Sequence, residues 1–129
     1  MGIIHHSNYI KWMEEARVAF MDAIGFSYAS VENKGIVSPV VALQMEYINP
    51  VEFDDEVEIR LQIEKYNGVR LRIRYEFFDR SKSRISAAAS SEHCFLHEGR
   101  VVSLRKALPE LDRVFYSYRD EETDSIVQS

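Results

Sequence analysis

The chain of 129 residues is 46% hydrophobic and 29% charged, which predicts one globular domain over residues 1–129 with a substantial core. Its formal net charge of -5 argues against general nucleic-acid binding, which usually needs a basic face. The single cysteine, Cys94, excludes an internal disulfide, and no apolar run is long enough for a membrane span or a signal-peptide core. Composition therefore predicts a cytoplasmic protein without a membrane span and without a nucleic-acid partner.

A long helix is predicted from Asn8 to Ile24, because apolar residues recur there at helical spacing. The apolar sector is broad, so we expect this helix to be enclosed on more than one side. Ser7 or Asn8 offers a side-chain oxygen for the N-cap, and Gly25 suits the left-handed position after a helix. A short second helix is predicted in "SYASVENKG", ending at Gly35.

After Pro39 the apolar period changes to two, which predicts strands in "VVALQMEYI", "EVEIRLQIEKY", "VRLRIRYEFF" and "SRISAAASSEHCFL". The alternating apolar residues of the second and third predicted strands all have odd residue numbers. This parity predicts a three-residue loop, Tyr66-Asn67-Gly68, with Gly68 left-handed and Lys65 paired with Val69. A C-terminal helix of about ten residues is predicted from Pro109, followed by a loosely held tail at 119–129. These elements predict an α+β fold with the helix on one face of an antiparallel sheet.

The opening "GIIHHSNYIKWMEEAR" resembles the signature of hot-dog-fold acyl-CoA thioesterases, in particular the 4-hydroxybenzoyl-CoA and Tol-Pal-associated thioesterases. The later stretch "SPVVALQMEYINPVEFDDEVEI" is similar to the second strand and following turn of that family. The resemblance implies a hot-dog fold, an antiparallel sheet wrapped around a long central helix, with acyl-CoA as substrate and no separate cofactor. The matching positions are Gly2, Ile3, Ile4, His6, Tyr9, Trp12, Glu14, Ala16 and Arg17.

The resemblance also implies a catalytic site at the start of the central helix. In the family, a backbone N–H at this point polarises the thioester carbonyl, and by position this donor is His6. The family carries its catalytic Asp three residues before the Gly that Gly2 matches, and a first strand before that. Both would precede Met1, so we expect a misplaced start, with the first strand and the Asp missing from this sequence. Some hot-dog thioesterases use a glutamate on the helix instead, which makes Glu14 the alternative base. The expected substrate-binding residues are Gly2, Ile3, Ile4, His5, Asn8 and Tyr9.

Other interpretations of these residues stay open. A metal site at His5 and His6 is not expected, because adjacent histidines in an extended segment point apart and no third ligand is near in sequence. The His6 side chain has either an acid–base or a structural role, and Glu15 is expected to be solvated. Cationic residues are candidates for binding the coenzyme A phosphates, although most are expected to form a solvated sheet face. They are Arg70, Arg72, Arg74, Arg80, Lys82, Arg84, Arg100 and Arg105.

Two other functions compete with thioester hydrolysis. A hot-dog hydratase or dehydratase would need a catalytic histidine on the central helix, and none lies between Asn8 and Ile24. A non-catalytic acyl-CoA-binding protein stays possible without the Asp. In each case the strands leave an unpaired sheet edge, so we expect a homo-oligomer, either a dimer or a tetramer, with its sites between subunits.

Overall fold

The computed structural model describes the backbone of residues 6–119 and 122–128, and the side chains of residues 8–119. Its helices are α1 (His6–Ala23), α2 (Tyr28–Asn33), α3 (Leu104–Ala107) and α4 (Pro109–Tyr118). Its strands are β1 (Ile36–Val37), β2 (Val40–Tyr47), β3 (Val57–Tyr66), β4 (Arg70–Asp79), β5 (Arg84–Cys94), β6 (Leu96–His97), β7 (Arg100–Val101) and β8 (Glu122–Gln128). In this part of the chain, no helix has the length and apolar character needed to cross a membrane.

Five strands form the main sheet in the order β2-β5-β4-β3-β8, with every neighbouring pair antiparallel. A smaller sheet joins β1, β6 and β7. The buried side of α1 and the inward side chains of the main sheet form one continuous hydrophobic core, which α4 extends at one end. The predicted α+β fold, with a long helix against an antiparallel sheet, is confirmed.

Helix α1 begins earlier than the sequence pattern predicts. Ser7 and Asn8 both lie inside the helix, so the prediction that one of them is the N-cap is wrong. His6 and Ser7, which the sequence pattern places before the helix, are therefore its first two residues, while residues 2–5 lie outside the described part. The predicted end is confirmed, since α1 stops at Ala23 and Gly25 has a φ of +87°. The buried side chains of α1 are those of Tyr9, Trp12, Met13, Ala16, Phe20 and Met21.

The β3–β4 hairpin has the predicted alternation but a different register near its turn. Lys65 pairs with Arg72 and Tyr66 with Leu71, so the predicted pairing of Lys65 with Val69 is wrong. The parity conflict is resolved within β3, where the register shifts by one residue between Ile63 and Lys65. A bulge of this kind moves the following side chains to the opposite face, and Tyr66 is accordingly buried. Gly68 has the expected left-handed conformation, with a φ of +94°.

The C-terminal segment differs from the expected loose tail at 119–129. Glu122–Gln128 form β8, which runs antiparallel to β3 and pairs Ile126 with Ile59 and Val127 with Glu58. Composition suggested a tail because this segment is acidic and polar overall. The short run Ser125-Ile126-Val127 nevertheless has the β-branched character that suits a strand against an open edge.

The small residues of β5 point to opposite faces of the main sheet. Ala89 is buried beside Met45 and Tyr75 of the neighbouring strands, whereas Ala88 lies on the outer face. We predict that Ala89→Leu lowers the free energy of unfolding by ~1–3 kcal/mol, because the packed core cannot take three extra carbons. Ala88→Leu should change stability by less, since its side chain meets an open groove. Urea unfolding of both variants tests this, and equal losses would contradict the assignment of the two faces.

Candidate active site

The start of α1 is an electropositive backbone site. The helix has 18 residues, and its first turn contains no acidic residue. The first four N–H groups of a helix have no acceptor within the helix, and the aligned peptide dipoles place partial positive charge there. His6 is the first residue of α1, so its N–H belongs to this set. The site can therefore stabilise negative charge that develops on a bound carbonyl oxygen.

The first turn of α1 is fixed by aromatic packing. The ring of Tyr9 makes edge-to-face contacts with Trp12, Tyr47 and Phe77, at centroid distances of 5.3, 5.4 and 5.0 Å. Such contacts hold a helix in one position over a sheet. Tyr9 is only 3% exposed, so in a single chain it is a core residue that supports the site from below. Asn8 beside it is half-buried.

The other site residues predicted from the sequence either lie far from His6 or fall outside the described residues. Glu14 is exposed on α1, eight residues after His6, which corresponds to roughly 12 Å along the helix axis. A general base must reach the reacting atoms directly or through one water, so Glu14 cannot serve a carbonyl bound at His6 of the same chain. Gly2, Ile3, Ile4 and His5 lie outside the described residues.

A buried hydrogen-bonded chain, which sequence reasoning missed, crosses the core from α1 to β5. A guanidinium N–H of Arg17 donates to the hydroxyl of Tyr75 at 3.2 Å, and that hydroxyl bonds to Ser91 Oγ at 2.8 Å. Ser91 Oγ in turn lies 2.8 Å from His93 Nε2. We call these four residues the Arg17 network. The signal was present in the sequence, since Ser91 and His93 share strand parity with the buried Ala89.

His93 is a neutral member of this network. It is 1% exposed, and burial, aided by the charge of Arg17, lowers its pKa to about 4. His93 Nε2 and Ser91 Oγ share one hydrogen bond, and the histidine tautomer decides which of the two atoms donates. His97, on the short strand β6, is exposed instead.

A carboxyl pair lies near the first turn of α1. Asp79 is fully buried, and burial together with a hydrogen bond to Asp55 raises its pKa. Lys82 binds Asp55 and holds the pKa of that carboxyl down at about 2. Asp55 therefore carries the negative charge of the pair, and the ammonium group of Lys82 balances that charge. This arrangement ties the loop before β3 to the β4–β5 turn.

The candidate cations for coenzyme A are partly committed to other partners. Arg72 pairs with Glu64 at 2.6 Å, Arg80 pairs with Glu56, and Lys82 pairs with Asp55. Arg74 lies between two open grooves on the outer face of the main sheet, the larger of about 230 Å³. Within the described ranges, no three His, Cys, Asp or Glu residues are grouped so as to hold a metal ion.

Known proteins resemble this chain over most of its length. The sequence pattern of the thioesterase-like superfamily matches residues 1–113. A Bacillus subtilis protein named "Putative acyl-CoA thioesterase YneP" is 34% identical over 111 residues, 85% of this chain and 80% of that one. The DHNA-CoA thioesterase of Staphylococcus aureus superposes with a TM-score of 0.83 at 32% identity, covering 91% of this chain and 78% of that chain. A gentisyl-coenzyme A thioesterase superposes with a TM-score of 0.74 at 25% identity, covering 90% and 88%.

These matches agree with the fold and with the opening motif described above. They cover the central helix, the antiparallel sheet around it and the motif at the helix start, and the fold that they share is the hot-dog fold. The chain therefore belongs to the thioesterase-like superfamily.

Proposed function

We propose that this protein hydrolyses acyl-CoA thioesters to a free acid and coenzyme A at the start of α1. The observation that carries the proposal is the N-terminus of α1, whose first residue is His6 and whose first turn contains no acidic residue. Water, deprotonated by a base, adds to the carbonyl carbon, and the oxygen gains negative charge that backbone donors stabilise. The C–S bond then breaks, and coenzyme A leaves as the thiol.

The acyl type is proposed to be that of the 4-hydroxybenzoyl-CoA and Tol-Pal-associated thioesterases. The opening motif supports this type, and two of the matched structures bear the names of DHNA-CoA and gentisyl-coenzyme A thioesterases. A gentisyl group is aromatic. We therefore expect aromatic acyl-CoA to be hydrolysed at least as well as short aliphatic acyl-CoA.

A panel of acyl-CoA substrates tests the function directly. Benzoyl-, 4-hydroxybenzoyl-, butyryl- and octanoyl-CoA are incubated with the 129-residue chain and with a chain extended so that Asp stands three residues before Gly2, and release of the free thiol is followed by a colorimetric reagent. Thiol release proportional to protein concentration supports the proposal. Binding of acyl-CoA without thiol release would favour the non-catalytic acyl-binding alternative, and the absence of both would overturn it.

We propose that the active form is a dimer joined along β2. This strand is at the edge of the main sheet and carries only one charged residue, Glu46. Five large apolar side chains along it are between 42 and 48% exposed. Edge strands of stable monomers usually carry charges or are covered, so this edge fits a second copy. The five are Val40, Val41, Leu43, Tyr47 and Ile48.

The order of these side chains fits pairing with an identical strand. Val40 and Ile48 are equally far from Gln44 on its two sides, and so are Val41 and Tyr47. An antiparallel twofold pairing about Gln44 therefore places apolar residues opposite apolar residues at most positions of this edge. The exceptions are Gln44, which lies opposite its own copy, and Glu46, which lies opposite Ala42. The first turn of α1 lies beside Tyr47, so the twofold brings the helix start of each copy to the interface.

We predict that Leu43→Lys converts the dimer to a monomer and abolishes turnover, because each lysine would lie opposite Met45 of the second copy and diagonal to the second lysine, next to the twofold axis. Sedimentation at micromolar concentration gives the oligomeric state, and thiol release gives the activity. Val101→Lys is the matched control, since Val101 is an exposed apolar residue on β7 of the smaller sheet. A wild-type chain that sediments as a monomer at this concentration would refute the dimer.

A further inference from the structure

We propose that Arg17 and Tyr28 bind a carboxylate at the far end of the acyl group, so that the preferred substrates are CoA thioesters of dicarboxylic acids. This inference rests on the proposed acyl-CoA hydrolysis and on the β2 dimer. It infers the acyl class from a half-buried cation that has no counter-charge among the described side chains, residues 8–119.

Arg17 is a half-buried cation without an acidic partner. No carboxylate forms an ion pair with it within residues 8–119, and its recorded side-chain partners are the hydroxyls of Tyr75 and Tyr28. A guanidinium has five N–H donors, and two neutral hydroxyls use only part of that capacity. Removing a cation from water without a counter-charge is costly, so the site favours an anion that can complete it.

The guanidinium borders a narrow cleft between α1, α2, α4 and the main sheet, which we call the Arg17 cleft. Besides Arg17, its polar walls come from Tyr28 and Ser38. Its open space is about 10 Å³, which is room for one water-sized group. The cleft therefore suits the polar tip of a ligand, whose body lies outside it. Its apolar walls include Phe20, Met21, Val31, Ile73 and Phe95.

The groups around Arg17 are neutral and can act as hydrogen-bond donors. Burial raises the pKa of Tyr28 and of Tyr75, so both hydroxyls keep their protons at neutral pH. His93, at the other end of the Arg17 network, is neutral as well. The cleft thus has one positive charge and no negative charge. A carboxylate, which only accepts hydrogen bonds and can take two from one guanidinium, complements it better than a hydroxyl does.

The β2 dimer brings this cleft to the reaction site of the other copy. Within one chain, the buried side chains of Met13 and Ala16 fill the space under α1 between its start and Arg17. Ser38, which lines the cleft, lies two residues before β2. Antiparallel pairing about Gln44 places that end of β2 beside the Tyr47 end of the second copy, where α1 of that copy begins. A thioester held at one helix start can therefore extend its acyl tip toward the Arg17 cleft of the other copy.

Binding of thioether analogues of acyl-CoA tests the inference without depending on turnover, because a thioether cannot be hydrolysed. S-(4-carboxybenzyl)-CoA is compared with S-(4-methylbenzyl)-CoA, and S-(7-carboxyheptyl)-CoA with S-octyl-CoA, by calorimetry on the full chain. In at least one pair, we expect the carboxylate form to bind about 10- to 100-fold more tightly, the range of a charge-assisted hydrogen bond. The methyl form of each pair reports any general damage to the fold.

Variants assign the preference to the cleft. Arg17→Met should remove the preference for the carboxylate form, Arg17→Lys should keep part of it, and Tyr28→Phe should reduce it by about 3- to 10-fold. A merely structural role would weaken both members of a pair and leave their ratio unchanged. A wild-type ratio near one in both pairs, or a ratio that Arg17→Met leaves intact, overturns the inference while the proposed function stands. Failure of all four analogues to bind overturns the proposed function and this inference with it.

Discussion

His6→Pro should lower kcat for acyl-CoA hydrolysis by about 10²- to 10³-fold, the loss that follows removal of one oxyanion donor. Proline has no backbone N–H, so the substitution deletes the donor at the first residue of α1 and nothing further along the helix. The first helical position tolerates proline, because its fixed φ suits a helix and its N–H has no acceptor within the helix. Steady-state thiol release gives kcat, and thermal unfolding shows that the fold is retained.

His6→Ala is the matched variant, since it removes the imidazole but keeps the backbone N–H. If the backbone donor carries the effect, His6→Ala keeps most of the activity that His6→Pro loses. Equal losses in the two variants would instead assign the effect to the side chain, which is the acid–base alternative that the sequence left open. A bell-shaped pH profile that loses one limb in His6→Ala would support the same conclusion.

Elements with strong periodicity could be predicted from the sequence, and their boundaries could not. The alternation of β3 and the length of α4 follow directly from local patterns. The start of α1 does not, because Ser7 and Asn8 are good capping residues that the structure places within the helix. In the β3–β4 hairpin, the apolar residues of both strands have odd residue numbers, and this pattern indicated one extra residue between the paired positions. It could not reveal that the bulge lies between Ile63 and Lys65 rather than in the turn.

One part of the candidate site could likewise be predicted from the sequence, and another part could not. The oxyanion donor is a backbone group, so it could be placed once the helix was recognised from the motif at its start. The Arg17 network could not, because it joins one residue of α1 to residues 58 to 76 positions later in the chain. Such contacts depend on which strands are neighbours in the sheet. Only the order β5-β4 beneath α1 brings Tyr75 and Ser91 together under Arg17.

The catalytic carboxylate gives the largest expected effect. We predict that a chain extended so that Asp stands three residues before Gly2 hydrolyses acyl-CoA about 10²- to 10⁴-fold faster than the same extension with Asn at that position. The carboxylate would activate water beside a carbonyl that the His6 N–H polarises, whereas an amide cannot take the proton. The two proteins have equal length and nearly equal volume, and thermal unfolding of both shows whether a difference in folding contributes to the difference in kcat.

Glu14 is the competing base, and the 129-residue chain decides between them. Turnover by this chain that Glu14→Gln abolishes, with equal rates for the Asp and Asn extensions, would contradict the predicted Asp. Glu14 and His6 lie roughly 12 Å apart along α1, so that base would have to come from the second copy. Leu43→Lys would then remove the activity of the short chain together with its dimer. If the Asp is the base, the Glu14→Gln variant of the Asp-extended chain keeps its activity, whereas a base at Glu14 would make the same variant inactive.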